Sequence, residues 1–290
     1  MKTTKNLTLV SSLFAASALP SSGIVIVISD LVNNAAVPVQ NIENYLNGNF
    51  SNVTEIRHAN YADFNAAATQ DALNGTGAHA GNGAADVVII GRSLSSGNYQ
   101  GGVADGYNSL AIPVVSLTSY TVRTNNNRMG WHSGSTTTNK LVAGDETTVT
   151  AAGASILGLA AGTHDLLFAS DPVADTFNGL GVGTVGDGDI LATTGGDLLA
   201  VYWEAGDAPG NPTEAGVATF GGPRLLFNTD NDPTTGNNGA NDLANMTPAG
   251  LQALTNALDF ATPLTANVIP EPSTSLLGVF ALGFLARRRR

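Results

Sequence analysis

The chain has 290 residues, and 23 acidic side chains against 12 lysines and arginines give it a formal net charge of −11 at pH 7. So acidic a protein lacks the basic face that nucleic acids require, and nucleic acid is therefore excluded as a partner. The chain has no cysteine, which excludes disulfides, thiol nucleophiles and zinc–thiolate sites.

The first 18 residues have the features of a secretory signal peptide. Lys2 and Lys5 form a positive start, residues 7–15 are modestly apolar, and Ala16-Ser17-Ala18 offers a cleavage site of the A-x-A type. We predict a signal helix over residues 1–18. The alternative, in which this segment is the first helix of the folded domain, stays open.

Residues 23–117 alternate between strand and helix patterns. The run Gly-Ile-Val-Ile-Val-Ile-Ser at 23–29 is typical of a strand buried on both faces of a parallel sheet. Further strands are predicted at 53–58, 86–90 and 113–117, and helices at 38–47 and 61–73. This βαβαβ…β order predicts an open α/β sheet.

The rest of the body is less regular. Residues 133–150 are rich in Thr, Ser and Gly and predict an inserted β-hairpin, and a second hairpin is predicted over 190–204. A last strand at 224–228 precedes a helix that Thr247 caps. We therefore predict a three-layer αβα domain over 19–262, with an open, mostly parallel sheet of the flavodoxin-like or amidotransferase-like kind, and a linker over 263–269.

The tail, residues 270–290, combines three features. It opens with Pro270, Glu271 and Pro272, continues with an uncharged apolar run at 275–286, and ends with four arginines, Arg287, Arg288, Arg289 and Arg290. About twelve apolar residues are fewer than the roughly 20 that span a bilayer. The tail therefore predicts a short hydrophobic helix that inserts transiently, its basic end staying on the cytoplasmic side.

Residues 268–290 closely resemble the PEP-CTERM sorting signal of Gram-negative bacteria in order, spacing and basic ending. The resemblance implies recognition and cleavage by an exosortase-type protease. It also implies export through the inner membrane, a membrane anchor before processing, and a cell-surface or extracellular location afterwards. Carriers of this signal are often surface or matrix proteins, so an exopolysaccharide or matrix partner is expected.

The body resembles, in short pieces over residues 24–262, the class I glutamine-amidotransferase-like fold and especially its ThuA-like branch. The segment Thr-His-Asp-Leu-Leu-Phe-Ala at 163–169 is similar to a "HPLFAG" type segment of those proteins. That family places a catalytic cysteine on a sharp turn after a strand. Thr118 or Ser119 stands there in this chain, and the residues are compatible either with a hydroxyl nucleophile or with an ordinary polar strand end.

Two other segments bear on ligand binding. The loop at 230–242 crowds oxygen side chains, as Ca²⁺ requires, with Asp230, Asp232, Asn238 and Asp242 as candidate ligands, although such residues are also ordinary turn formers. The glycine-rich stretch at 181–186 matches a dinucleotide fingerprint formally, but it neither follows the first strand nor opens a helix, and we interpret it as a loop.

Two functions fit this sequence. The first is an exported surface or matrix protein whose non-catalytic α/β domain binds a glycan, an ion or another protein. The alternative is an exported hydrolase acting on carbohydrate-linked substrates. In it, Thr118 or Ser119 works with His132 or His164 and with carboxylates such as Asp30 or Glu204.

Overall fold

A computed structural model of the protein describes residues 23–30, 38–60, 64–91, 96–124, 128–140, 147–167, 175–181, 183–229, 231–233, 243 and 246–267. The predicted signal helix and the C-terminal hydrophobic helix lie outside these residues. Within them the protein is α/β, with helices packed on a mixed sheet. The predicted α/β class is therefore confirmed, whereas the two terminal helices stay predictions.

Twelve strands and seven α-helices are described. The strands are β1 (Ile24–Asp30), β2 (Val53–Asn60), β3 (Val87–Ile90), β4 (Val114–Ser116), β5 (Thr136–Lys140), β6 (Thr147–Val149), β7 (Gly162–His164), β8 (Asp175–Leu180), β9 (Asp189–Thr194), β10 (Asp197–Trp203), β11 (Arg224–Phe227) and β12 (Asn231–Pro233). The helices are α1 (Pro38–Asn49), α2 (Ala67–Asn74), α3 (Gly102–Ser109), α4 (Ser119–Val122), α5 (Ala151–Leu157), α6 (Pro212–Ala215) and α7 (Pro248–Ala261).

The sheet has a parallel half and an antiparallel half. Its main path runs β2-β1-β3-β4-β11-β10-β9-β6-β7, and β5, β8 and β12 branch from β10 through β8. Strands β2, β1, β3, β4 and β11 are mutually parallel. From β10 onward the described pairs are antiparallel. The carboxyl ends of the parallel strands therefore meet at one edge, which we call the carboxyl edge.

Both faces of the sheet are buried. Ile24, Ile26 and Ile28 point to the face that α1, α5 and α7 cover. Val27, between them, packs on the opposite side with residues of α2 and α3 and with a group of buried aromatics. Because successive side chains of a strand alternate between faces, an almost continuous apolar run is what a doubly covered strand requires.

The hairpin of β9 and β10 is confirmed, and its turn explains its position. Gly195 and Gly196 occupy the turn with φ of 58° and 89°. Two consecutive residues at positive φ are what a two-residue type I′ turn needs, and glycine adopts this conformation without steric cost.

Two sequence predictions differ from the structure. The inserted hairpin at 133–150 is wrong, because β5 pairs with β8 whereas β6 pairs with β7 and β9. Thr-rich strands fit many neighbours, so the local pattern does not specify the partner. The second helix begins later than predicted, at Ala67, and ends at Asn74, where Gly75 adopts the left-handed conformation of a helix C-cap.

Two arginines are fully buried and bind backbone carbonyls at helix C-termini. Arg57 donates to the Ala72 carbonyl of α2, to Gly83 and to the Glu55 carboxylate. Arg224 makes five hydrogen bonds to carbonyl oxygens, of residues Tyr107, Asn108, Leu110, Ile112 and Pro223. A cation at this place satisfies the carbonyls that a helix end leaves without partners and complements the helix dipole.

The segment 263–267, which the sequence predicts as a linker, packs against the turn between α1 and β2. Phe50 and Ala266 form an isolated bridge. Ser51 donates its backbone N–H to the Thr265 carbonyl, and the Asn52 side chain binds Pro263 and Thr265. The residues that follow α7 are thereby fixed to the beginning of the fold.

Candidate functional site

The carboxyl edge is where open α/β sheets place their ligands, at the point where the strand order reverses. In the order β2-β1-β3-β4 this point lies between β1 and β3. Ser29, at the end of β1, is fully buried, and its hydroxyl contacts the Tyr99 and Tyr107 hydroxyls at 2.6 and 2.9 Å. The Ser29 hydroxyl is therefore engaged in contacts within the protein at this edge.

The two candidate nucleophiles follow β4 at the same edge. Thr118 is the N-cap of α4, with φ of −137° and ψ of 137°, and its hydroxyl accepts from the Tyr120 N–H. Ser119 donates its N–H to Asn228 Oδ1 at 3.2 Å. Both residues are almost completely buried. A nucleophile elbow instead needs a strained turn that exposes the hydroxyl, so this geometry is that of a capped, buried helix start.

The other residues of the predicted catalytic group are spread over the fold. His164 lies in β7, five strand positions from β4, which is about 24 Å at the usual strand spacing. Its Nε2 contacts the Ala160 carbonyl at 2.7 Å. Glu204 follows Trp203, which pairs with Arg224 at the beginning of β11, so it lies at the edge opposite to Ser119. Asp30 ends β1; its side chain lies outside the described residues.

His132 and Asp197 are brought together in a cleft of about 470 Å³, here called the His132 cleft. Asp197 begins β10, and the antiparallel pairing of β10 with β11 places it at the carboxyl edge. The cleft is lined by His132, Gly181, Gly183, Val185, Ile190, Thr193, Gly195, Gly196, Asp197 and Leu198. Its walls thus come from the ends of β8, β9 and β10.

Glycines allow the cleft walls to approach the two polar side chains. A Cβ on Gly183 would lie 2.5 Å from His132 Cε1, and a Cβ on Gly179 would lie 2.3 Å from Asp197 Cβ. Both distances are shorter than real contacts. The glycine-rich stretch at 181–186 therefore has a packing role beside the imidazole, which its interpretation as a plain loop missed.

The hydrogen bond at Nδ1 decides the proton position on His132. The Gly134 N–H donates to His132 Nδ1 at 3.0 Å, so Nδ1 is an acceptor and the proton of the neutral ring resides on Nε2. Burial lowers the pKa of His132, and this effect outweighs the opposing influence of the negative charge of Asp197. His132, which lines the cleft, is therefore neutral at neutral pH and carries its proton on Nε2.

This proton arrangement is the reverse of that in a catalytic triad. There, Nδ1 donates its proton to a carboxylate and Nε2 is the base that takes the proton of the nucleophile. In this protein Nε2 carries the proton already. His132 therefore suits hydrogen-bond donation to a ligand better than activation of Thr118 or Ser119.

Acidification is expected to destabilise the protein through His132. The folded state disfavours the charged ring, so the folded pKa lies below the ordinary value of 6.5. The stabilisation is complete above pH 6.5 and is lost as the pH falls through the folded pKa, because the unfolded chain binds the proton more readily. Urea unfolding at pH 8 and pH 5.5 measures this loss.

In the same experiment His132→Asn should lose less stability between the two pH values than the wild type. His164→Asn is the matched control, and its pH dependence should follow that of the wild type. Parallel stability profiles for the wild type and His132→Asn would contradict the expected role of His132.

No metal centre is found among the described residues, where no group of three or more His, Asp or Glu side chains is placed to hold an ion. The predicted Ca²⁺ ligands fall largely outside those residues. Asp230, Asn238 and Asp242 are not described, and of Asp232 only the backbone, in β12, is described. The Ca²⁺ site therefore stays a prediction.

No family model and no curated protein matches the sequence. Among solved structures, the chain is similar to a cytoplasmic protein, STM1381, from Salmonella typhimurium LT2, with 11% identity and a TM-score of 0.45 over 83% of this chain and 99% of that one. A second similar structure is a cytoplasmic protein, STM3548, from Salmonella typhimurium, with 11% identity and a TM-score of 0.45 over 82% and 99%.

The predictions of export and of a membrane or surface location are not proposed further. Both similar structures are described as cytoplasmic proteins, against the predicted exported surface protein, its alternative as an exported hydrolase, and the membrane-anchored and cell-surface locations. None of the helices in the described ranges has the length and apolar character to cross a bilayer.

The tail, residues 270–290, lies outside the described residues. Its resemblance to a PEP-CTERM signal, with Pro270, Glu271, Pro272 and the four terminal arginines, is untested and stays a prediction from the sequence. The same holds for an exosortase-type protease and a matrix polysaccharide as partners.

Proposed function

We propose that this α/β domain binds a small, uncharged, polar ligand in the His132 cleft. The observation that carries the proposal is the hydrogen bond from Gly134 to His132 Nδ1, which puts the proton of the neutral ring on Nε2 of a residue that lines the cleft. Asp197 adds carboxylate oxygens, which accept hydrogen bonds. A donor and an acceptor across one cleft suit a ligand that carries both functions, such as a hydroxyl or a primary amide.

Position and size support the same proposal. The cleft lies at the carboxyl edge of the sheet, in its antiparallel half, and its volume falls within the range of small-molecule sites. Apolar contacts are available from Val185, Ile190 and Leu198. A few polar groups on a largely apolar wall are the usual composition of such sites.

We also propose that the domain is a three-layer αβα fold of the flavodoxin-like or amidotransferase-like kind. The order β2-β1-β3-β4-β11 of the parallel half supports it, because it corresponds to the flavodoxin-like order 2-1-3-4-5. The chain has no cysteine for the nucleophile position of the amidotransferases. An experimental structure with a different strand order would overturn this assignment.

Two substitutions of His132 separate ligand binding from folding. His132→Asn keeps an oxygen that can accept from the Gly134 N–H but removes the donor at the Nε2 position. His132→Gln does the reverse, because its amide nitrogen reaches the Nε2 position. We expect His132→Asn to weaken ligand affinity about tenfold with little change in thermal stability, and His132→Gln to retain more affinity at lower stability.

The measurement has two parts. Nitrogen-15 NMR of the imidazole reports which ring nitrogen carries the proton, and titration with small polyols and amides, followed by backbone amide shifts, reports binding. A proton on Nδ1, or hydrolytic turnover that Ser119→Ala abolishes, would replace the binding proposal with a catalytic one. Equal affinities for the two His132 variants would show that Nε2 does not contact the ligand.

A further inference from the structure

Two arginines converge on one residue just after β4. The Arg123 guanidinium lies over the Tyr120 ring, with Cζ 5.1 Å from the ring centroid. Arg128 donates from Nη1 to the Tyr120 carbonyl at 3.3 Å. Both cations are therefore held by Tyr120, which belongs to α4 at the carboxyl edge.

Arg128 differs from the other buried arginines in what its guanidinium binds. It is 7% exposed, and the Tyr120 contact is its one hydrogen bond within the described part of the chain. Its Nε is buried without a hydrogen-bond partner, as are those of Arg57 and Arg224. No carboxylate lies within 4.0 Å of Arg128 among the described residues. Arg224, in contrast, makes five hydrogen bonds to carbonyls, and Arg57 also pairs with Glu55.

The nearby positive charge of Arg123 destabilises the buried guanidinium of Arg128. Burial, together with repulsion from Arg123, lowers the pKa of Arg128 to about 10, so Arg128 stays charged at neutral pH. The chain carries a net charge of −11, and carboxylates are abundant elsewhere. A cation buried beside a like charge is stabilised when an anion joins it.

We propose that Arg128 and Arg123 form a binding site for an oxyanion, such as a phosphate, sulfate or carboxylate group. The guanidinium is planar and presents parallel N–H donors that match two oxygens of one such group. Arg123, fixed on Tyr120, supplies the second charge. The site requires neither the His132 cleft nor its ligand, so it stands independently of the proposed function.

The test uses the full chain and inorganic probes. Phosphate, sulfate and acetate are titrated at matched ionic strength, with calorimetry and with the Arg128 Nε–Hε NMR signal as readouts. We expect saturable binding of at least one anion, and a loss of affinity of about tenfold or more in Arg128→Gln. The anion affinity of Arg128→Lys should lie between those of the wild type and Arg128→Gln, because lysine keeps the charge and loses the paired donors. The relative affinities of the three probes identify the preferred group.

Lys140→Gln is the matched control, because it removes one positive charge elsewhere and should leave affinity within about twofold. If Arg128→Gln does not fold, the shift of the Arg128 Nε–Hε signal on titration of the wild type and of Arg123→Gln replaces it. The proposal is overturned if no anion binds saturably to the wild type or if Arg128→Gln binds as the wild type does. It is also overturned if Arg128→Gln and Lys140→Gln lose affinity equally.

Discussion

Arg224→Met is expected to lower the free energy of unfolding by about 3–5 kcal/mol. The carbonyls of Tyr107, Asn108 and Pro223 each accept a backbone N–H in addition to Arg224. The Leu110 and Ile112 carbonyls have no second donor within the described ranges. Removal of the guanidinium leaves these two acceptors without a hydrogen-bond donor, and each buried acceptor without a partner costs about 1–3 kcal/mol.

Urea unfolding at neutral pH measures the loss. Arg128→Met is the matched control, because Arg128 is also buried but makes a single hydrogen bond, and we expect it to cost less than about 1 kcal/mol. Similar losses for the two variants would mean that the carbonyl contacts of Arg224 do not account for its stabilising effect. The comparison also separates a structural arginine from the arginine that we assign to anion binding.

Trp131→Ala should cost about 3–5 kcal/mol, the usual range for removing a large aromatic side chain from a core. Trp131 is fully buried, and its ring centroid lies 5.5 Å from that of Trp203 and 5.8 Å from that of Phe220. Its Nε1 donates to Asn108 Oδ1 at 2.7 Å. The substitution therefore leaves a cavity and also removes the donor that this amide oxygen requires.

Trp131→Phe divides the two contributions, since it keeps most of the aromatic packing and loses the indole N–H. We expect Trp131→Phe to lower the free energy of unfolding by about 1–3 kcal/mol, because the Asn108 side-chain oxygen loses its donor. Phe260→Ala is the surface control, because Phe260 is 53% exposed, and it should stay within about 0.5 kcal/mol of the wild type. A loss for Trp131→Ala no larger than that of the control would contradict the packing described for the aromatic group.

The parallel half of the sheet was predictable because each of its strands carries its own local signal. Val, Ile and Leu runs mark β1, β3 and β11, and Thr247 with Pro248 marks the beginning of α7, whose N-cap hydroxyl accepts from the Gly250 N–H. These signals depend on residues close in sequence, and both faces of the strands are buried. The α/β class follows from them.

Helices α3 and α5 were missed because glycines lower their helix propensity. In the structure these glycines permit close packing. A Cβ on Gly106 of α3 would meet the Phe64 ring at 2.3 Å, and one on Gly153 of α5 would meet the Leu191 carbonyl at 2.0 Å. The benefit comes from a partner distant in sequence, which a local pattern does not include.

The candidate site was predictable only in part for the same reason. His132 was identified by its residue type, but Asp197, which follows the glycines of a hairpin turn, was not among the predicted site residues. What joins them is the antiparallel pairing of β10 with β11 and the position of β8, and both are long-range contacts. The Tyr120 contacts of Arg123 and Arg128 likewise depend on how α4 packs.

The attachment of residues 263–267 to the turn between α1 and β2 has a consequence during protein synthesis. α1 and β2 emerge from the ribosome early, but the backbone N–H groups of Ser51 and Asn267 find their partners across this contact only when residues 265–267 have been made. α7 also supplies the Leu251 carbonyl and the Thr255 hydroxyl that Tyr45 of α1 binds. The amino-terminal strands therefore stay without their α7 cover while more than 200 residues are translated, at about 5–20 residues per second. We expect the nascent chain to bind a chaperone during that interval, because its apolar strand faces are exposed.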